Sequence, residues 1–143
     1  MRRRLKDERG AAVTVWAVLV TTALTLIMGL AVDLSGQVTA LRMASDVAAQ
    51  AARAAGQQLD ADTYSSTGGE VEVAAARAKA AAINYAQAAG MTATARIESG
   101  TDLIVEVTAG YEPVFLSAFG VGTRQVHATA RVRVVKALEG KER

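Results

Sequence analysis

The sequence predicts an α+β, membrane-anchored protein: one N-terminal transmembrane helix continuing into a long amphipathic helix, a second helix, and a small antiparallel sheet of three to four strands. Three observations lead there. Residues 11 to 32, AAVTVWAVLVTTALTLIMGLAV, contain no charge, no Pro and one Gly. From Gln37 to Ala89 the chain is rich in Ala, with apolar residues at helical spacing, and after Met91 the apolar period falls to two.

A helix of 22 residues is roughly 33 Å long, enough to cross a hydrocarbon core of about 30 Å. Its hydroxyls, Thr14, Thr21, Thr22 and Thr25, can bond back to the helix's own carbonyls. A helix buried in a globular core usually carries a polar stripe, which this one lacks. A cleaved signal peptide has a shorter apolar run and a small-residue cleavage site; the text here is Gly29-Leu30-Ala31-Val32-Asp33, without an A-x-A pattern.

The formal charge of +2 over 143 residues conceals an asymmetry. Arg2, Arg3, Arg4, Lys6 and Arg9 stand against Asp7 and Glu8 in the first ten residues, while the remainder holds 11 basic and 12 acidic residues. Basic residues directly before an apolar span act as a topology signal. They divide the chain into a cytoplasmic tail (1–10), a transmembrane helix (11–32), an extracytoplasmic α+β domain (33–136) and a charged C-terminal tail (137–143). No basic patch recurs downstream, so a nucleic-acid partner is not expected.

Hydrophobic residues make up 51% of the chain but aromatics only 4%, and there are 31 alanines and no Cys. Disulfides, thiolate metal sites and Cys nucleophiles are thereby excluded. Small side chains suit close helix packing and do not suit a deep aromatic-lined pocket, so no small-molecule substrate is expected.

From Gln37 the spacing places Val38, Leu41, Ser45, Ala48, Ala52, Ala55 and Leu59 on one helical face, with Gly36 as a candidate kink. Asp60 to Gly69, DADTYSSTGG, reads as a loop. Its D-A-D opening invites comparison with a calcium loop, but Tyr64, Ser65 and Val71 occupy positions that an EF-hand reserves for Asp or Asn, Gly and Glu. A second helix is expected from Glu70 to Ala89, with Val71, Ala75, Ala78, Ala82, Tyr85 and Ala89 as its apolar stripe and Gly90 as its C-terminal cap.

Alternation then predicts strands at 91–97 and 103–108, joined by Ser99-Gly100-Thr101, and a third in which Val126, Ala128, Ala130, Val132 and Val134 share a face. Between them, Tyr111 to Phe119 predicts one or two helical turns that place Phe115, Leu116 and Phe119 under the sheet edge. The alternative is an exposed patch for a partner.

No catalytic constellation is recognisable, so an enzyme is not expected and no cofactor is implied. His127, the single His, lies on the polar face of a strand with no carboxylate near it in sequence. Ala17, Thr21, Thr25, Gly29 and Asp33 recur every four residues, a small-residue stripe on which another transmembrane helix can pack. Ordinary lipid exposure accounts for the stripe equally well. A carboxylate at Asp33 buried between helices would require a cationic partner from another chain.

Three stretches carry a family resemblance: Asp7-Glu8-Arg9-Gly10-Ala11-Ala12-Val13-Thr14-Val15-Trp16, Val32-Asp33-Leu34-Ser35-Gly36-Gln37, and Ala48-Ala49-Gln50-Ala51-Ala52-Arg53-Ala54-Ala55. Together they resemble the TadE- and TadG-like proteins of the bacterial tight-adherence (Flp) pilus system, over roughly residues 7 to 58, with a weaker likeness in the closing Gln125–Val135 strand. The resemblance implies a pilin-like character for the 33–136 domain and a minor-pilin-like or pilus-assembly role, with other pilus-assembly or pilin-like proteins as partners through the N-terminal helix. A secreted or membrane-tethered binding domain, its span used only for export or anchoring, is the alternative. Pseudopilin-type members are cut after a Gly and carry Glu at the fifth position of the product. Gly10 and Ala11 occupy the cleavage position here, but Val15 stands where the Glu would be. In this respect the chain looks closer to the uncut TadG-like anchors, although it does not include their large extra domain.

Overall fold

The computed structural model describes residues 4–63, 70–98 and 102–133. Arg2, Arg3, residues 64–69 of the turn-forming cluster, the Ser99-Gly100-Thr101 connection and the 137–143 tail lie outside them. The elements follow in the order α1 (Arg4–Thr63), α2 (Glu70–Ala88), β1 (Thr92–Glu98), β2 (Asp102–Tyr111), a 3₁₀ turn (Leu116–Phe119) and β3 (Arg124–Arg133). The fold is α+β, with a three-stranded sheet in the order β1-β2-β3, antiparallel throughout.

α1 is one unbroken helix of 60 residues, about 90 Å long. No Pro precedes Pro113, and Ala, the strongest helix former, recurs along the helix's second half. Gly36 does not interrupt it. The helix also runs past Leu59 to Thr63, because Asp60-Ala61-Asp62-Thr63 contains neither Gly nor Pro and the glycine pair comes later.

The N-terminal part of α1 is long and apolar enough to span a membrane, and almost none of it is covered by protein. Val13, Val15, Trp16, Val18, Leu19, Leu24, Ile27 and Val32 are exposed, and at about 100° per residue they are spread around the helix. A core helix of a soluble protein would be sheathed. The four threonine hydroxyls each donate to a carbonyl of the preceding turn, at 2.8 to 2.9 Å, so no polar group of these side chains is left wanting a partner.

Beyond Ala40 the same helix is covered. Ala44, Ala48, Ala51, Ala52 and Ala55 of α1 and Ala74, Ala78, Ala82 and Ala86 of α2 meet Leu103, Val105, Val107 and Ala109 of β2 and Val126 and Ala128 of β3. α1 crosses β2 and β3, α2 lies against β1, and the two helices pack on each other. Alanine faces let helix axes approach to the short end of the usual range, about 8 Å.

That close approach corrects the predicted stripes. Val38 and Leu41 are exposed, as is Ser45, and the fully buried residues of α1 between Ala40 and Gln58 are all alanines, the predicted Ala48, Ala52 and Ala55 among them. On α2 the stripe is Ala74-Ala78-Ala82-Ala86; Ala75 is half-buried, while Ala89 and Tyr85 lie outside the core. Larger side chains do not fit between helices drawn together by methyl groups. Tyr85 instead donates its hydroxyl to Gln50 Oε1 across the helix pair, at 2.9 Å.

α2 ends in a left-handed Gly90 (φ 74°), with Gly90 N–H on Gln87 O at 2.9 Å and Met91 N–H on Ala86 O at 3.0 Å. This is a Schellman closure, and it turns the chain directly into β1. β2 is the central strand, pairing Ala95 with Val105 on one side and Ala130 with the same residue on the other. Val126 and Ala128 face the helices and Val132 packs against the core, while His127, Thr129, Arg131 and Arg133 face away, as the alternation predicts.

The uncovered face is polar apart from Ile104. That residue lies in register between Arg96 and Arg131 and is shielded by their side chains. Arg133 pairs with Asp102 at 3.2 Å and Arg131 with Glu98 at 3.5 Å; such exposed pairs contribute little to stability.

Two substitutions test the alanine core. Leu103→Ala should cost about 2–5 kcal/mol through the cavity it leaves. Ala48→Leu should cost about 1–3 kcal/mol by forcing α1 off the sheet. Urea unfolding of the full chain in detergent, followed by circular dichroism, measures both.

Candidate functional site

The best-defined polar constellation lies where the apolar half of α1 meets the sheet domain. Asp33 is only 3% exposed, the sole buried charged side chain among the described residues. Its carboxylate faces the segment between β2 and β3. Oδ1 accepts the N–H groups of Val114 at 2.7 Å and Phe115 at 3.1 Å, with the Tyr111 hydroxyl at 3.4 Å, and Oδ2 accepts the N–H of Leu116 at 2.7 Å.

The local sequence explains the geometry. Pro113 is fully buried and fixes the turn out of β2, and the three amides that follow point the same way because they open a 3₁₀ turn whose first donors have no partner within it. No side chain of the turn caps it. The cap is supplied by Asp33, from 81 to 83 residues earlier in the chain.

Two glycines make the approach possible. A Cβ on Gly29 would overlap the Phe115 ring, and one on Gly36 would overlap the Tyr111 ring. Gly29, Asp33 and Gly36 are spaced by four and three, so they share one face of α1. The helix thus offers a ring seat, a carboxylate and a second ring seat in succession. Phe115 stacks in turn against Phe119, with ring centroids 5.4 Å apart and planes at 51°.

Covering the carboxylate raises the pKa of Asp33, but the N–H groups of Leu116, Phe115 and Val114 and the Tyr111 hydroxyl favour the charged form and together prevail. The pKa therefore lies below the ordinary carboxylate value. Tyr111 moves the opposite way: burial, the Asp33 charge and their hydrogen bond all raise its pKa.

These contacts change the reading of several predicted site residues. Gly29 and Asp33 are occupied by the chain's own loop, so the helix-packing stripe is reduced to Ala17, Thr21 and Thr25, all exposed. The buried Asp33 needs no cation from another chain, because three backbone amides and a phenol serve it. Phe115, Leu116 and the 3₁₀ turn pack on α1 and not under the sheet edge as expected; Phe119 remains 64% exposed. Gly10 and Ala11 are exposed within α1, and nothing approaches Gly10. Arg4, Lys6 and Arg9 belong to the first turns of the same helix.

Sequence reasoning also missed the surroundings of His127. The sheet brings Thr108 Oγ1 to 3.0 Å and Glu106 Oε1 to 4.0 Å of its Nδ1, beside a shallow depression lined by Thr92 and Thr94. Register pairs His127 with Thr108, one strand away, which no local pattern could reveal. Among the described residues no group of three or more acidic or histidine side chains is placed to hold a metal ion.

The chain is thus an α+β protein with one candidate membrane helix, its sheet domain pinned to that helix by a buried carboxylate. Comparison with protein-family models, with curated proteins and with solved structures finds no match.

Asp33→Ala should abolish the docking and lower amide protection at Val114, Phe115 and Leu116 by about tenfold or more, with Asp33→Asn intermediate, read by hydrogen exchange. The pH dependence has a definite sign. The lowered Asp33 pKa makes docking complete above the ordinary carboxylate range and lost as pH falls below about 4, while the raised Tyr111 pKa makes it weaken only above about 10. Protection corrected for intrinsic exchange should therefore be flat between these limits; loss near neutrality would contradict the assignment.

Proposed function

We propose that this protein is a single-pass, membrane-anchored structural component of a tight-adherence (Flp) type pilus system, minor-pilin-like or an assembly protein, that works by helix packing and surface contact and not by catalysis. The observation that carries the reading is the division of α1: its apolar segment is almost entirely uncovered, buried only at Gly29 by Phe115, and its second half is sheathed by α2 and the sheet without a break between them. Uncovered apolar side chains over a length that matches a bilayer are stable in lipid and unstable in water. The resemblance of residues 7–58 to TadE- and TadG-like proteins supplies the biological context.

In this reading residues 11–32 cross the membrane, the basic tail stays in the cytoplasm and residues 33–136 form the extracytoplasmic domain. The partners are the membrane and other pilus-assembly or pilin-like proteins, met through the N-terminal helix. Ala17, Thr21 and Thr25 offer small side chains for such a contact. Asp33 makes the domain a rigid extension of the anchor, so a force or displacement on one is transmitted to the other. Val15 in place of the family's Glu favours an anchor that is kept whole.

In vivo crosslinking from Thr21 should capture a pilus-assembly protein, and exclusive capture of unrelated envelope proteins would overturn the pilus reading. N-terminal sequencing of the membrane-fraction protein should start at Met1 or Arg2. A start at Ala11 would establish pseudopilin processing, and a start beyond Val32 would remove the anchor. Protease added outside the cell membrane should digest the domain; full protection would reverse the topology.

A further inference from the structure

We infer that the loop from Pro113 to Thr123 is a second membrane contact, its apolar tip seated in the outer leaflet beside α1. The inference rests on the reading of residues 11–32 as a transmembrane helix, and three independent features of the loop point to lipid as its occupant.

The first is its depth. Phe115 packs on Gly29, three residues inside the Val32 boundary, or about 4.5 Å toward the bilayer centre, while Tyr111 packs on Gly36, about 6 Å outside it. The two rings therefore straddle the boundary, with the phenol on the headgroup side and the phenyl on the hydrocarbon side. That is the order in which amphipathic and apolar rings partition at a bilayer surface.

The second is its surface. Pro113 to Thr123, PVFLSAFGVGT, contains no charged residue, and both phenylalanines of the protein lie within it. Val114 is 73% exposed and Phe119 64% exposed, the first bonded through its N–H to Asp33 and the second with its ring 5.4 Å from that of Phe115, which sits on Gly29. The loop's exposed apolar side chains are thus held at the outer end of the span.

The third is its backbone. A segment that leaves water must satisfy its own amides. Asp33 takes the N–H groups of Val114, Phe115 and Leu116. Ala118 donates to Phe115 O, Gly120 to Ser117 O and Val121 to Leu116 O, at 3.0 to 3.2 Å. Pro113 has no N–H to satisfy, and the Ser117 hydroxyl bonds to Val114 O at 2.8 Å. The negative charge that makes this possible is itself enclosed by its donors, and the amides of Val114, Phe115, Leu116, Ala118, Gly120 and Val121 all find acceptors within the protein.

The chain has no Cys, so single cysteines can be introduced at will. Full-length V114C, F119C, L24C and T129C, each labelled with an environment-sensitive fluorophore, are reconstituted into phosphatidylcholine–phosphatidylglycerol vesicles. Quenching by lipids bearing a doxyl group near the glycerol end or near the chain middle is then measured. Labels at Val114 and Phe119 should be quenched several-fold more strongly by the shallow quencher than the label at Thr129 on the open sheet face. The label at Leu24 should respond to the deep one. If Leu24 responds while Val114 and Phe119 behave like Thr129, the loop inference fails and the anchor stands. Blue-shifted but unquenched labels at both loop positions would assign the patch to contact with a second copy of this chain and overturn the inference. An unquenched Leu24 would overturn the anchor reading and the inference with it.

Discussion

One carboxylate holds the two halves of this molecule in a fixed relation. Asp33 stands one residue beyond the apolar span and accepts hydrogen bonds from three consecutive amides and a phenol of the loop between β2 and β3. A charge this well covered would be costly if any of its lone pairs lacked a donor. Here the donors are backbone groups at the start of a 3₁₀ turn, which themselves need acceptors. Each side resolves the other's deficit, and the contact is made where a flexible linker would otherwise be expected.

Close packing makes that contact reachable. The sheet can lie near α1 only because the helix presents alanines to Leu103, Val105 and Val107, and the β2–β3 loop can descend onto α1 only because Gly29 and Gly36 leave room for two rings. Small side chains serve both purposes along one helix: methyl groups under the sheet and hydrogens under the aromatic loop. The low aromatic content of the protein is therefore not a sign of a weak core. Three of its six aromatic residues, Tyr111, Phe115 and Phe119, gather at the junction, where shape and polarity both change.

A helix shared without a break by the apolar segment and the sheet domain has a mechanical consequence. With no linker, the domain's orientation to the apolar segment is set by α1 itself, and the loop that grips Asp33 fixes it further. Such a molecule suits a role in an assembly, where neighbouring subunits must meet the same surface each time. It suits a tethered binding domain less well, since that function gains from a flexible stalk.

The sequence by itself determined the elements. An uncharged 22-residue run, helical spacing through Ala89, a cap at Gly90 and strict alternation in β3 are local signals, because each follows from how successive side chains point along one helix or strand. It also pointed to a strip of residues on α1 but misjudged the phase of the buried face, since Val38, Leu41 and Tyr85 look more apolar than the alanines that displace them. Only the tertiary structure decided what Gly29 and Asp33 do. Periodicity places them on one helical face, but it says nothing about which distant segment returns to that face. The loop that does so arrives more than 80 residues later, and its position is set by the pairing of β2 with β3 and by the packing of both against α1.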